Sequence, residues 1–291
     1  MTRAYQLAYI DLATPSFEQQ VSYYEQVIGA TVTEQSPGGP TYFSLGVDHH
    51  NVSISPATVA GLSAIGLRIV QEAPETTIQN LRNLGLSPVI KTDARPGVST
   101  CIEVMVAGHM IHLLPDMEMP GPGFRHAGVI PATLGHIAVM TPAADALVQF
   151  CKEIGFIETD WFEGAATFLT CNRLHHVLNI VKAPFTKLHH VAFELTSRGR
   201  HHDVADFLAT RQLPVVWGPS RHTAGHNLAS YHFDPSRFLT EFYTDMDVVI
   251  PELQIFEPRP WHDSFPQRPR SWPRGELSTW HTKFEFDFTA V

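Results

Sequence analysis

Three cysteines in 291 residues, Cys101, Cys151 and Cys171, are too few and too widely spaced for a disulfide framework, and no CxxC pair offers a zinc site. Charge is scarce too, at 17% of residues, and it leans acidic: Lys plus Arg total 20 against 29 for Asp plus Glu, a formal charge of -9. Such a surface repels phosphate backbones and anionic lipid, which argues against nucleic-acid and membrane partners. No apolar run approaches the roughly 18 residues that span a bilayer, and the opening MTRAYQLAYIDLATP has no apolar signal core, so the expected compartment is the cytoplasm. Hydrophobic residues make up 44% of the chain, enough to bury the cores of two domains. Histidine is in excess, with 17 copies, most of them after residue 125 and several in pairs.

Two stretches share a pattern. YQLAYIDLATPSFEQQVSYYEQVIGATV (5–32) and LGHIAVMTPAADALVQFCKEIGFIET (134–159) each read as a strand, a TP turn, an amphipathic helix and a glycine. Phe17, Val21, Tyr24 and Val27 fall on one helical face, as do Ala144, Leu147, Phe150 and Ile154, and Gly29 and Gly155 stand where helices stop. Segments 63–90 and 187–216 repeat the idea, and β-rich runs lie between these starts. Four βαβββ modules result, with a period of about 60 residues. The expected fold class is α+β, with the modules paired into two open-barrel domains. The Pro- and Gly-rich stretch before residue 134 reads as a linker, giving an N-terminal domain at 1–120, the linker at 121–133 and a second domain at 134–245. Residues 246–291 are too proline-rich for helix or central strand, yet Phe256, Trp261, Phe265 and Trp272 are too many aromatics for a free tail. An extended strap over the second domain is expected.

The chemistry concentrates in the second half. Alternation in LHHVAFEL puts His189, Val191, Phe193 and Leu195 on the face toward the helices and His190 on the opposite, concave face. In FLTEFYT, Glu241 occupies mid-strand among large apolar residues, where Glu is depleted and seldom buried without a partner. His136 lies inside the apolar strand LGHIAVM. Two imidazoles and one carboxylate from three strands match the 2-His-1-carboxylate facial triad, which leaves positions open on non-haem Fe(II). The same three residues also fit a core histidine, half of a surface pair and a salt-bridged strand carboxylate.

With LGHIAVM, KLHHVAFEL and FDPSRFLTEFY in this order, the sequence resembles the two-domain type I extradiol catechol dioxygenases of the vicinal oxygen chelate superfamily. The resemblance is strongest over residues 134–245 and covers the N-terminal half mainly as architecture. It implies metal ligands His136, His190 and Glu241, with Fe(II) as the ion and Mn(II) as its substitute. It implies a histidine near the oxygen-binding position, falling on His175 in LHHVLNI, and a substrate-side histidine and tyrosine, falling on His222 and Tyr231 in GPSRHTAGHNLASYHFDPS. His226 and Arg221 are further substrate-lining candidates. The implied reaction inserts both atoms of O2 into an aromatic diol to give a ring-opened semialdehyde, and a homo-oligomer is the family's usual state. Arg237 departs from the glycine usual after DPS.

The remaining histidines read as solvated or structural: His201 and His202 at a helix start, His49 and His50 in a loop, and His176 and His189 facing away by alternation. At the N-terminal equivalents of the ligands stand Tyr9, a position near Gly66 and about His112, so the first domain is expected to be a metal-free copy. Alternatives within the superfamily are a glyoxalase, which often carries two carboxylates drawn from both modules, and a longer keto-acid oxygenase. A non-catalytic small-molecule-binding protein of the same fold is the alternative from another class.

Overall fold

The computed structural model describes residues 2–285. Its contacts divide them into two compact units: residues 2–134 with Glu153–Gly155 and Asp234–Arg237, and the remainder from Gly135 onward.

The first unit contains β1 (Ala4–Thr14), α1 (Phe17–Tyr23), β2 (Thr31–Gln35), β3 (Thr41–Ser44), β4 (Val52–Pro56), β5 (Gly61–Ile69), α2 (Pro74–Asn83), β6 (Val89–Arg95), β7 (Val98–Val106) and β8 (His109–Leu114). The strands form one sheet in the order β2-β3-β4-β1-β5-β8-β7-β6. Each half is one βαβββ module, closed by a last strand that runs parallel to its first: β4 to β1 and β8 to β5. The modules join through the antiparallel β1–β5 pair.

The second unit repeats this plan with β9 (Thr133–Thr141), α3 (Ala144–Glu153), β10 (Ile157–Phe162), β11 (Ala166–Thr170), β12 (Leu178–Lys182), β13 (Lys187–Glu194), α4 (Gly199–Thr210), β14 (Val215–Arg221), β15 (Leu228–Phe233) and β16 (Leu239–Thr244). The short β17 (Val249–Ile250), β18 (Ile255–Phe256) and β19 (Arg270–Trp272) follow. The sheet order is β14-β15-β16-β13-β9-β12-β11-β10-β19, so β16, β13 and β9, which carry Glu241, His190 and His136, are consecutive neighbours. Among the described residues no helix is long and apolar enough to cross a membrane.

Local sequence explains the helices. On α3, Ala144, Leu147, Phe150 and Cys151 are buried, and Gly155 ends the turn at φ 91°. The expected face of α1 is realised only in part, because the helix passes at Tyr24 into a π turn (Tyr24–Ile28) that ends at Gly29, φ 83°. That wider turn places Tyr23, Tyr24, Val27 and Ile28 in the core and leaves Phe17 and Val21 half-buried. Gln20 is buried instead, its Nε2 donating to Asp234 Oδ2 at 2.5 Å and its Oε1 accepting from Ser236 Oγ at 2.7 Å. Arg237 closes the DPS turn with φ 65°. A left-handed conformation costs a residue with a Cβ roughly 1–2 kcal/mol, so the turn keeps the backbone suited to glycine despite the replacement.

The C-terminal strap packs on the second unit. β19 runs parallel beside β10, and Trp272 Nε1 donates to Asp160 Oδ2 at 2.6 Å. Upstream, Trp261 Nε1 and His262 Nε2 both reach Asp247 Oδ1, at 3.2 and 2.9 Å. Phe256 and Trp272 are buried, whereas Phe265 is 66% exposed. His201 also departs from expectation: it is buried, with Nδ1 3.4 Å from Ser230 Oγ, because it lies on the inner face of α4.

Candidate metal centre and its cavity

Three donor atoms meet at the centre of the second sheet. His136 Nε2 and His190 Nε2 lie 3.1 and 3.2 Å from Glu241 Oε2, and the two nitrogens are 3.3 Å apart. All three side chains are buried. Donors held at right angles about 2.1 Å from one ion are separated by about 3 Å, so this near-equilateral triangle has the spacing of three cis ligands. The set of two imidazoles and one carboxylate suits a first-row divalent ion.

Electrostatics agree with that donor set. Burial alone would raise the Glu241 carboxyl, but His136 and His190 outweigh it and hold the group well below the usual carboxylate range. Burial lowers His136, and Glu241 beside it opposes that shift. Glu241 is also positioned from outside the triangle: Asn227 Nδ2 donates to Oε1 at 2.8 Å and the Tyr231 hydroxyl to Oε2 at 2.8 Å. Asn227 escaped sequence reasoning because an amide carries no acid–base signal.

Tyr231 Oη also lies 2.9 Å from His222 Nε2, while His222 Nδ1 is 3.0 Å from the Leu277 carbonyl. A carbonyl only accepts, so the proton is assigned to Nδ1 and Nε2 presents a lone pair to the tyrosine. Burial keeps His222 neutral by lowering it, and raises Tyr231 well above an ordinary phenol. Both groups border a cavity of about 280 Å³ that opens onto His136, His190 and Glu241.

The other candidates fall differently. His176, expected to face away, lines the cavity with its ring centroid 4.3 Å from that of His136. It sits in the loop before β12, where strand alternation does not apply. Burial lowers it well below an ordinary histidine. His175, expected beside the oxygen position, is instead outside the cavity lining, with Nε2 3.0 Å from Asp160 Oδ2 and Nδ1 2.9 Å from His176 Nδ1. His189 also borders the cavity, its Nδ1 turned back to within 2.7 Å of His190 Nδ1. Neither Arg221 nor His226 does. Arg221 donates to the His226 carbonyl at 2.5 Å and stacks on Trp261, and His226 Nδ1 lies 2.7 Å from Asp247 Oδ2.

Two further groups of potential ligands converge among the described residues. In His226, Asp247 and His262 the imidazoles contact different carboxylate oxygens, so the carboxylate lies between them as a hydrogen-bonded bridge. In Cys101, Glu103 and His112, burial pushes the thiol up to about 12, which keeps it protonated. That last group adjoins the counterpart of the triad in the first unit, where Tyr9, Gly66 and His112 lie abreast on β1, β5 and β8. Tyr9 fills the place of a second ligand. A Cβ on Gly66 would sit 2.6 Å from its ring, its hydroxyl is 2.8 Å from His112 Nδ1, and Arg95, paired with Asp11 at 2.6 Å, lies over its face.

No family model matches the chain. A curated relative, the metapyrocatechase of Geobacillus stearothermophilus, is 22% identical over 281 residues, covering 88% of this chain and 85% of the relative. The solved 2,3-dioxygenase LapB of Pseudomonas superposes with a TM-score of 0.82 at 22% identity, covering 94% of this chain and 98% of its own. An Mn(II)-bound glyoxalase of Novosphingobium aromaticivorans also reaches 0.82 at 22% identity, covering 97% and 93%. One scaffold therefore serves both kinds of protein, and the site must separate them. The chain thus shares its fold with LapB and with the Mn(II)-bound glyoxalase along nearly its whole length.

Proposed function

We propose that this protein is an extradiol ring-cleaving dioxygenase that uses Fe(II), inserting both atoms of O2 into an aromatic diol to give a ring-opened semialdehyde. The observation that carries the reading is the triangle of His136, His190 and Glu241 facing a cavity furnished with a neutral imidazole and a phenol on one side and a second neutral imidazole on the other. The metapyrocatechase and LapB similarities support it. So does the carboxylate count: Glu241 is the single carboxylate among the described residues lining the cavity, where a glyoxalase of this fold often has two.

His136, His190 and Glu241 would hold the iron, which when bound would supply a path for electrons between diol and dioxygen. The protein's own groups manage protons. His222 Nε2 is the base, its tautomer fixed by the Leu277 carbonyl, and it takes a diol proton directly or through Tyr231 Oη. Tyr231 has one proton and two acceptors within 2.9 Å, which lets it turn toward whichever of His222 and Glu241 is unprotonated and uncommitted. His176, held by His175, lies on the other side of the triad beside His136 and is the donor for reduced oxygen. The walls around these groups are mainly apolar.

The test is a comparison of the Fe(II)-loaded protein in air and under argon across simple catechols, followed by the absorbance of the yellow semialdehyde. Oxygen-dependent product with equimolar O2 uptake supports the reading. An iron-replete protein that consumes no O2 with any catechol refutes it.

A further inference from the structure

We infer that the substrate carries a ring-sized apolar group beyond its two oxygens, seated between Phe162, Phe168 and Leu277. This rests on the dioxygenase reading above and assigns the part of the cavity that the chemistry does not use.

The cavity changes character along its length. At one end are the polar groups of β9, β13 and β16. From there it crosses β12 to β11, where cross-strand register sets Asn179 opposite Phe168 and Val181 opposite Ala166, all four lining the space. Phe162 of β10 continues the floor, with its ring in edge contact with Phe168 at a centroid distance of 5.9 Å. Ala165, Ala224 and, from the strap, Arg274, Gly275 and Leu277 form the remaining wall. Phe162, Phe168 and Ala224 belong to one buried cluster with Trp272, against which Ala166 and Leu277 pack.

Size and polarity then select the occupant. A dry apolar cavity of about 150 Å³ holds one benzene, and 280 Å³ is nearly twice that, so the space takes a diol ring and a second group of similar bulk. Alanine or glycine at 166, 224 and 275 keeps it open, since larger side chains there would project into it. Two phenylalanine rings on the wall, in edge contact with each other, favour an aromatic neighbour. A charged substituent would lose its hydration among these side chains, where the one cation on the described wall is Arg274. Among the described lining residues the one guanidinium is Arg274, exposed, with Nε donating to the Glu163 carbonyl at 2.7 Å.

The experiment compares catechol, phenyl-substituted catechols, 1,2-dihydroxynaphthalene and 3,4-dihydroxyphenylacetate on the iron-loaded protein. The expected kcat/KM for the bicyclic compounds is at least ~10-fold above that for catechol and for the carboxylated compound. Ala166→Phe should bring the bicyclic-to-catechol ratio to about one. Catechol or the carboxylated diol turned over as well as the bicyclic compounds would overturn the inference while leaving ring cleavage standing. Calorimetry under argon provides a readout without turnover: naphthalene should bind the loaded protein at least ~10-fold more tightly than benzene and lose that margin in Ala166→Phe. Equal affinities, or a margin that Ala166→Phe leaves intact, would refute the assignment even if no diol were cleaved.

Discussion

Replacing Asp247 by alanine should unfasten the strap from the second unit. The carboxylate accepts from His226 Nδ1 at 2.7 Å, His262 Nε2 at 2.9 Å and Trp261 Nε1 at 3.2 Å, and it is buried. Burial by itself would raise this carboxyl, but the hydrogen bonds from His226 and His262 prevail and hold it below the usual carboxylate range. It is therefore charged and paired at neutral pH. Removing one partner of a buried charged cluster costs about 3–5 kcal/mol, and at about 2–4 °C per kcal/mol for a unit of this size the melting temperature should fall by roughly 10 °C. A functional effect should accompany it, because the same strap supplies Gly275 and Leu277 to the cavity wall and fixes the His222 tautomer. KM for the diol should rise more than kcat falls. Calorimetric melting of the iron-loaded protein and steady-state kinetics check both parts. A melting temperature within about 2 °C of the parent, with unchanged KM, would refute the strap's anchoring through Asp247.

Other expectations concern protons. His176→Phe should leave diol binding under argon intact and lower kcat by about 10²–10⁴-fold, whereas a turnover change under threefold would remove His176 from the chemistry. Acid should destabilise the metal-free protein well above the range of carboxylate titration. Burial lowers His201 to about 4, His232 to about 3 and His50 to about 2, so each binds its proton in the unfolded chain near pH 6.5 but in the folded one only far below that. The unfolded state then holds more protons, and stability present above pH 6.5 is lost as pH falls, by about 2 kcal/mol per histidine at pH 5. Urea unfolding at pH 7 and pH 5 measures it, and equal midpoints would contradict the burial of these rings.

Much of the architecture was legible because the four modules repeat one pattern, a strand leading into a helix and back to short strands, and two of them share a TP turn, an apolar helical face and a stopping glycine. The triad was legible for a related reason. Glu241 in the middle of an apolar strand is unfavourable without a cationic partner, and His190 and His136 lie on the next two strands of the sheet, β13 and β9. What stayed hidden was set by tertiary packing. His176 lies in a loop whose path no alternation describes, so the two members of the 175–176 pair exchanged their expected places. Arg221 and His226 looked available for substrate, yet the strap covers them and turns them to Trp261 and Asp247, partners more than 20 residues away in the chain. The π turn after α1 likewise depends on the burial of Tyr23 and Ile28, which helical periodicity does not foresee.

Anaerobic iron titration of the parent chain and of Glu241→Ala, His190→Ala and His262→Ala, each shown to be folded by circular dichroism, distinguishes the possible centres. One Fe(II) per chain should bind the parent and His262→Ala, and none should remain in Glu241→Ala or His190→Ala after gel filtration. Equimolar iron in His190→Ala, or its loss in His262→Ala alone, would place the ion elsewhere and leave the ring-cleavage reading without its centre.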